Sequence, residues 1–412
     1  MVVEAPPPLR WRDTSSAQRR TLLAAALGWM LDAFDVMLYS IVLATLMREL
    51  GMSKTTAGLL NSLTLIASAI GSFLFGVFAD RFGRRRMLSA SILTYSVFTF
   101  ACGFSTSVTM LAVLRFFLGL GMGGEWNAGA TLVAETWPSA WRGRALSLVQ
   151  SSWAIGYALA ALVANFVLAR AGWRWVFFVG VLPAIVTLWI QHGVPEPELW
   201  QRARQSPVSR EQKSALWKAA LPRLLVLLAV NTFGMFAWWG LFTWIPAYLA
   251  LPVTQGGRGF ALFDLTTFLV VLNLCGMWPG YLLFGALADA FGRKRAIVLY
   301  LVCAAVSVPL FAVAHAPGLI LLTASIAAFF GTGFFTGAAV AGSELFPTPI
   351  RATALGLSYN TARGISAFAP FLIGAIGQAH GLAWGFGACG VAFGAAAIAA
   401  LWIPETRGME LT

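Results

Sequence analysis

The sequence predicts an all-α membrane protein: twelve transmembrane helices in two pseudo-symmetric six-helix bundles, with both termini cytoplasmic. Three observations carry this. Of 412 residues, 59% are hydrophobic and only 11% charged, whereas soluble domains carry about 25% charged residues. Twelve apolar runs reach about 20 residues or more, enough to cross a ~30 Å hydrocarbon core. The chain also repeats itself. Gly76-Val-Phe-Ala-Asp80-Arg-Phe-Gly83-Arg84-Arg85-Arg86 recurs as Gly285-Ala-Leu-Ala-Asp289-Ala-Phe-Gly292-Arg293-Lys294-Arg295. Glu135, Pro138 and Arg142 recur as Glu344, Pro347 and Arg351, and Pro195-Glu196 as Pro404-Glu405, every pair 209 positions apart. Same-sense repeats imply two bundles related by an axis along the membrane normal, with the substrate site between them near the midplane.

The spans are expected near 21–47, 56–79, 87–107, 108–134, 145–169, 173–194, 222–250, 263–288, 296–314, 317–343, 352–379 and 382–403. This divides the chain into a tail (1–20), a first bundle (21–194), a linker (195–221), a second bundle (222–403) and a short tail (404–412). The net charge of +12 would point to nucleic acid in a soluble protein. Here most Lys and Arg residues lie in the tails, the linker and the loops on their side, which sets those segments in the cytoplasm. The expected partners are therefore the lipid bilayer and a small molecule, with no nucleic acid. Met1 to Arg20 is proline-rich and basic and lacks an apolar core, so it reads as a cytoplasmic tail rather than a signal peptide. Cys102, Cys275, Cys303 and Cys389 lie in apolar runs without paired spacing, and His192, His315 and His380 fall near separate helix ends. No metal site, cofactor, nucleotide loop or nucleophile–base pair is expected, and hence no enzyme.

The element after spans 2 and 8 resembles the signature loop of the major facilitator superfamily. Arg115-Phe-Phe-Leu-Gly-Leu-Gly-Met-Gly-Gly-Glu125 resembles its span-4 motif, and Pro195-Glu-Pro-Glu and Pro404-Glu-Thr-Arg-Gly resemble the ends of the two halves in sugar porters. Asp32-Ala33-Phe34-Asp35 is similar to the D-G-x-D element of aromatic-acid:proton symporters, with Ala33 in place of the glycine. Gly119 to Tyr157 is most similar to the sialate and organic-acid:proton symporter group. The resemblance covers essentially the whole chain. It implies the major facilitator fold and alternating access; a monomeric multi-pass protein of the bacterial inner membrane is expected. It also implies that Asp80 meets the N-terminus of span 11 and Asp289 that of span 5, where free N–H groups attract anions. With Arg84, Arg142, Glu135, Arg293, Glu344 and Arg351, these acids form the expected cytoplasmic gate.

Charges at membrane depth carry the chemistry. Asp32 and Asp35 lie inside span 1, where each costs roughly 3 kcal/mol and marks a substrate or proton path. At ~1.5 Å per residue, Asp32 stands ~16 Å and Asp35 ~21 Å above the inner edge. Arg115 in span 4 is then level with Asp35 at ~20 Å, and Glu125 level with Asp32 at ~14 Å. An arginine facing Asp35 and an acid facing Asp32 make a proton-coupling set: Asp35, Asp32, Glu125 and Arg115. The plainer alternative is a static Asp35–Arg115 salt bridge.

Arg363 stands ~16 Å up span 11 with no acid of its own half at that depth. A permanently charged, forked donor suits a carboxylate ligand. The alternative is that Arg363 pairs with Asp32 or Glu125 in the empty protein. Tyr359, Asn360 and Ser366 neighbour it, and Gln150, Tyr157, Trp238 and Asn273 complete the expected substrate set. Trp126, Asn127, Trp153, Asn231 and Trp239 are weaker candidates. The glycines of span 4 (Gly119, Gly121, Gly123, Gly124, Gly129) are expected to serve close helix contact. Together these residues predict a proton-coupled symporter importing a small organic anion. A proton-driven exporter is the first rival, although Arg363 would repel cationic drugs. The second is a non-transporting nutrient sensor, which would be expected to carry a longer soluble tail or loop.

Overall fold

The computed structural model describes residues 12, 14–137, 139–193 and 210–406. All twelve expected spans are helical. Spans 1 to 5 are Ser16–Glu49, Lys54–Phe82, Arg84–Cys102, Val108–Thr136 and Ser139–Ala171. Span 6 is two pieces, Trp173–Val179 and Pro183–Gly193. Span 7 is Arg210–Ala250; it begins inside the expected linker because Glu211 to Ala220 is rich in good helix formers. Span 8 runs through Leu262–Val271, a π-helical stretch Leu272–Met277 and Trp278–Phe291. Spans 9 and 10 are Arg293–Val313 and Pro317–Leu345, span 11 is Thr348–Ser366 plus Ala369–Ala379, and span 12 is Leu382–Ala400. Among the described residues, nine helices are long and apolar enough to cross a bilayer. The exceptions are span 3, polar at its arginine-rich start, and spans 6 and 11, each broken before a proline.

The repeat is visible in the backbone. Gly83 (φ 108°, ψ 151°) and Gly292 (φ 102°, ψ 153°) make the same turn after spans 2 and 8. That conformation is open to glycine and strained for other residues. Between the halves, span 2 packs on span 11, span 8 on span 5, and span 1 on span 7. The first two pairings exchange under the repeat and the third lies on its axis. Within the first half, Gly119 and Gly123 lie against the backbone of Thr64 and Ser68 in span 2. No side chain fits there, which is the close helix contact the span-4 glycines were expected to serve.

The break in span 11 frees backbone groups that lipid cannot satisfy. Side chains from two other spans take them up. The Phe371 N–H donates to Ser62 Oγ at 3.1 Å, and the Pro370 carbonyl accepts from Trp244 Nε1 at 2.9 Å. The irregular turn is thus locked to span 2 of the first half and span 7 of the second.

The bundle end remote from both termini is closed by further bonds between the halves. Lys54 Nζ donates to the Gln255 carbonyl at 2.8 Å and to that of Gly377 at 3.4 Å. The Lys54 N–H donates to Gln378 Oε1 at 3.2 Å. Deeper in, Asn61 Nδ2 donates to Thr243 Oγ1 at 2.9 Å. Beside this closure lies a cavity lined by Thr45, Arg48, Met52, Leu251 and Gln255. Lys54→Ala is expected to loosen the closure. A partly exposed ammonium contact contributes about 1 kcal/mol or less. A cysteine at Thr45 should then react about 2- to 5-fold faster with an impermeant maleimide in the Lys54→Ala background.

Candidate functional site

Arg363 occupies the last turn of Thr348–Ser366, immediately before the break in span 11. Carbonyls left free at a helix C-terminus favour a cation there. The side chain is 1% exposed, and Nε, Nη1 and Nη2 all lack a hydrogen-bond partner. The alternative of a resident ion pair with Asp32 or Glu125 is not realised. A buried guanidinium with every nitrogen unpaired is unstable unless something with acceptors comes to it.

Two acids share its surroundings. Asp32 is fully buried and Glu125 is 1% exposed. Both oxygens of Asp32 and Oε2 of Glu125 lack donors. Arg363 is the basic group whose charge acts on each of them, and Asp32 also acts on Glu125. Span 4 delivers Glu125 against span 1 at Gly28: a Cβ there would lie 2.5 Å from Glu125 Oε1. The expected meeting of Asp32, Glu125 and Arg363 is therefore present as a field, with no contact short enough to count as an ion pair.

Asp35 and Arg115 do not face each other, contrary to expectation. Arg115 Nη2 donates to Asn61 Oδ1 at 3.0 Å, and its guanidinium lies 3.8 Å from the centre of the Tyr39 ring. Asp35 Oδ2 instead accepts from Thr99 Oγ1 at 3.1 Å, while Oδ1 has no donor. Matching height did not ensure matching direction around the helix. Through Asn61 and its bond to Thr243, Arg115 is tied to the closure between the halves. Arg363 has no such employment.

A circuit of aromatic contacts starts and ends beside Arg363, and its extent was missed from sequence. The Arg363 guanidinium lies 6.0 Å from the Trp239 ring. Trp239 meets Trp238 at 4.9 Å between ring centres, and Trp238 meets Trp153 at 5.7 Å. Trp153 meets Trp29 at 4.8 Å, and Trp29 meets Trp126 at 4.7 Å. Trp126 returns to Tyr359 at 5.9 Å, one helical turn before Arg363. Trp153 also meets Trp239 at 6.0 Å, so the rings cross between the halves at Trp153–Trp238, Trp153–Trp239 and Trp126–Tyr359. Trp29 had offered one signal, its place one turn before Asp32 in an apolar stripe.

The remaining expected residues divide. Asn360 lies on the same turn of span 11 as Tyr359, and Ser366 Oγ caps the Arg363 carbonyl at 3.1 Å. Gln150 is buried on span 5. Tyr157 donates to the Phe242 carbonyl at 3.5 Å, so its hydroxyl serves the seam between the halves. Asn273 is buried in the π-helical stretch and donates to the Leu269 carbonyl at 2.8 Å; no contact joins it to the aromatic circuit. Of the expected gate, Arg293 pairs with Glu344 at 3.4 Å, and its N–H donates to Glu405 Oε1 at 2.8 Å. Thr406 also bonds Glu344, and Arg351 Nε donates to the Phe346 carbonyl at 2.9 Å. These bonds join parts of the second half to one another. The side chains of Asp80, Arg84, Asn127, Glu135, Arg142 and Asp289 lie outside the described residues.

Comparison with known proteins agrees with this architecture. The family model described as Major Facilitator Superfamily matches residues 25–263 and 257–410. A probable 4-methylmuconolactone transporter from Cupriavidus pinatubonensis is 33% identical over 97% of this chain and 94% of its own length. A cis,cis-muconate transport protein from Acinetobacter baylyi is 33% identical over 97% of both chains. Among solved structures, a proton:xylose symporter superposes with a TM-score of 0.76 at 19% identity, covering 96% of this chain and 98% of that one. At that identity the likeness concerns the fold. The chain is a transporter rather than an enzyme, and it belongs to the Major Facilitator Superfamily.

Proposed function

We propose that this protein is a proton-coupled symporter that imports a small, flat organic anion by alternating access of its two halves. The observation that carries the reading is the buried guanidinium of Arg363, which has no acceptor in the protein. A carboxylate offers two coplanar acceptors and matches the guanidinium fork. The aromatic circuit favours a flat, conjugated body, which is also the chemistry of the muconate named for one relative.

The proton follows from the two acids. An ionised carboxylate buried without a donor costs several kcal/mol, and a nearby cation offsets part of that. In the empty site Arg363 supplies this offset to both Asp32 and Glu125. When a substrate carboxylate takes the donors of Arg363, its negative charge cancels the cation's field. One acid then takes up a proton, so the loaded centre carries the same net charge as the empty one and the added carboxylate is no barrier to the rocking of the halves. Release of substrate and proton on the other side restores the field. Arg115, Asn61 and Asp35 act nearer the closure. The rest of the assignment is proposed on sequence grounds: a tail, bundles 21–194 and 222–403 about a linker, both termini cytoplasmic, and a monomer in the bacterial inner membrane. Asp80, Arg84, Glu135, Arg142, Asp289, Arg293, Glu344 and Arg351 are proposed to form its cytoplasmic gate.

Asp32→Asn, Glu125→Gln and Asp35→Asn, made singly, test the coupling in proteoliposomes with an inward proton gradient. At least one should fail to accumulate substrate above the external concentration while still exchanging labelled for unlabelled substrate. Undiminished accumulation in all three removes the proton site.

Arg363→Lys tests the anchor. It keeps the charge and removes the planar fork, and losing one charge-assisted hydrogen bond costs roughly 1.5–3 kcal/mol, or about 10- to 150-fold in affinity. Equilibrium binding of a carboxylate and its amide, to wild type and variant, gives four affinities. The preference for the acid should shrink in Arg363→Lys; if it survives intact, Arg363 is not the anchor.

A further inference from the structure

The aromatic circuit holds more donors than a carboxylate at Arg363 can use. The indole Nε1 atoms of Trp29, Trp153 and Trp238 are buried and have no hydrogen-bond partner. The residues are 4%, 3% and 2% exposed, so bulk water does not serve them. A buried N–H left unpaired costs about as much as a lost hydrogen bond, and such groups in native proteins are rare. Three in succession along one circuit, ordered Trp238, Trp153, Trp29, are not packing alone. Stacking needs the ring, and phenylalanine supplies it without the donor.

Their position sets their use. Around the circuit Arg363 is followed by Trp239 on one side and Tyr359 on the other. Trp153 meets Trp239 directly at 6.0 Å between ring centres, so Trp153 and Trp238 each stand one ring beyond the one beside Arg363. By way of Tyr359, Trp153 is reached through Trp126 and Trp29. The unpaired donors of Trp153 and Trp238 thus belong to rings one step behind Trp239, and that of Trp29 lies one ring further on. Trp153 comes from span 5 of the first half and Trp238 from span 7 of the second, so an acceptor shared by them would bridge the seam.

We infer that the transported acid carries a second hydrogen-bond acceptor besides its carboxylate, and that the indole N–H groups of Trp153 and Trp238 select for it. A ring hydroxyl, a ring nitrogen, a carbonyl or a second carboxylate would serve; a plain hydrocarbon ring would not. This rests on the reading of Arg363 as the carboxylate anchor and adds a second polar contact beside it.

Two isosteric pairs test it: 4-hydroxybenzoate against 4-methylbenzoate, and nicotinate against benzoate. Each pair keeps the carboxylate and the ring and differs in the acceptor. Equilibrium binding is measured on the full-length protein in detergent for wild type, Trp153→Phe and Trp238→Phe. The wild type should prefer the acceptor-bearing member of at least one pair by about 3- to 10-fold, the worth of one neutral hydrogen bond. The preference should shrink toward unity in one or both variants, while the apolar member still binds and so reports a folded site. Trp126→Phe removes ring area at a half-buried position and should weaken both members of a pair alike. A wild-type preference that survives both Trp153→Phe and Trp238→Phe, or a wild type that binds both members of each pair equally, overturns the inference and leaves the carboxylate anchor standing. A wild type that binds none of the four acids overturns both.

Discussion

The structure is organised around a cation buried without an anion. Arg363 sits where the protein contributes no acceptor to its guanidinium, and the surroundings make that tolerable. The helix ends just beyond it, so carbonyl dipoles face the charge. The break that exposes those carbonyls would itself be costly in a membrane. Ser62 and Trp244 satisfy its loose backbone groups and tie them to both halves. Asp32 and Glu125 lend negative field from beyond bonding distance. Each of these features makes sense as support for an arginine kept unpaired, and none is needed if Arg363 were merely structural.

The two deep arginines show how the same residue type is put to different uses. Arg115 is clasped by Asn61 and covered by the Tyr39 ring, and Asn61 continues to Thr243 across the seam. Its Nε and Nη1 lack partners as well, but Nη2 and the ring tie it to the closure. Arg363 has only the edge of an aromatic circuit beside it. The two arginines thus differ by one donor: Arg115 has Nη2 engaged and Arg363 has none.

The fold was legible in sequence because lipid imposes it. Twenty apolar residues must be a helix, and an element repeated at a fixed offset after spans 2 and 8 must be two copies of one bundle. The charged residues were legible for the same reason, since each is expensive enough to need a purpose. What sequence could not give was direction around a helix. Counting residues at ~1.5 Å each yields height, and height placed Arg115 level with Asp35. Packing turned Asp35 toward Thr99 and Arg115 toward Asn61. The aromatic circuit was hidden more deeply: Trp29, Trp126, Trp153, Trp238 and Tyr359 come from five spans, and tryptophan in a membrane protein is common at interfaces. The helix break at Ala367 and Phe368 was read as part of a continuous span, because Pro370 alone marks it and a proline is compatible with a kinked helix.

The distribution of bond types across the seam fits a molecule that must open there. At the end remote from the termini, the halves are joined by directional hydrogen bonds: Lys54 to Gln255 and Gly377, and Asn61 to Thr243. Such bonds are made or lost within a small displacement, so they act as a latch with two states. At the centre the crossings are aromatic, Trp153 on Trp238 and Trp126 on Tyr359. Ring contacts are attractive over a range of angles and distances and lose little when one ring slides over another. A latch at one end and sliding surfaces at the middle are what the proposed tilt of one half against the other requires. In the proposed cycle the ligand anchored at Arg363 belongs beside those crossings. On that proposal its charge falls beside Asp32 and Glu125, which is the requirement for coupling the movement to the occupancy of the site.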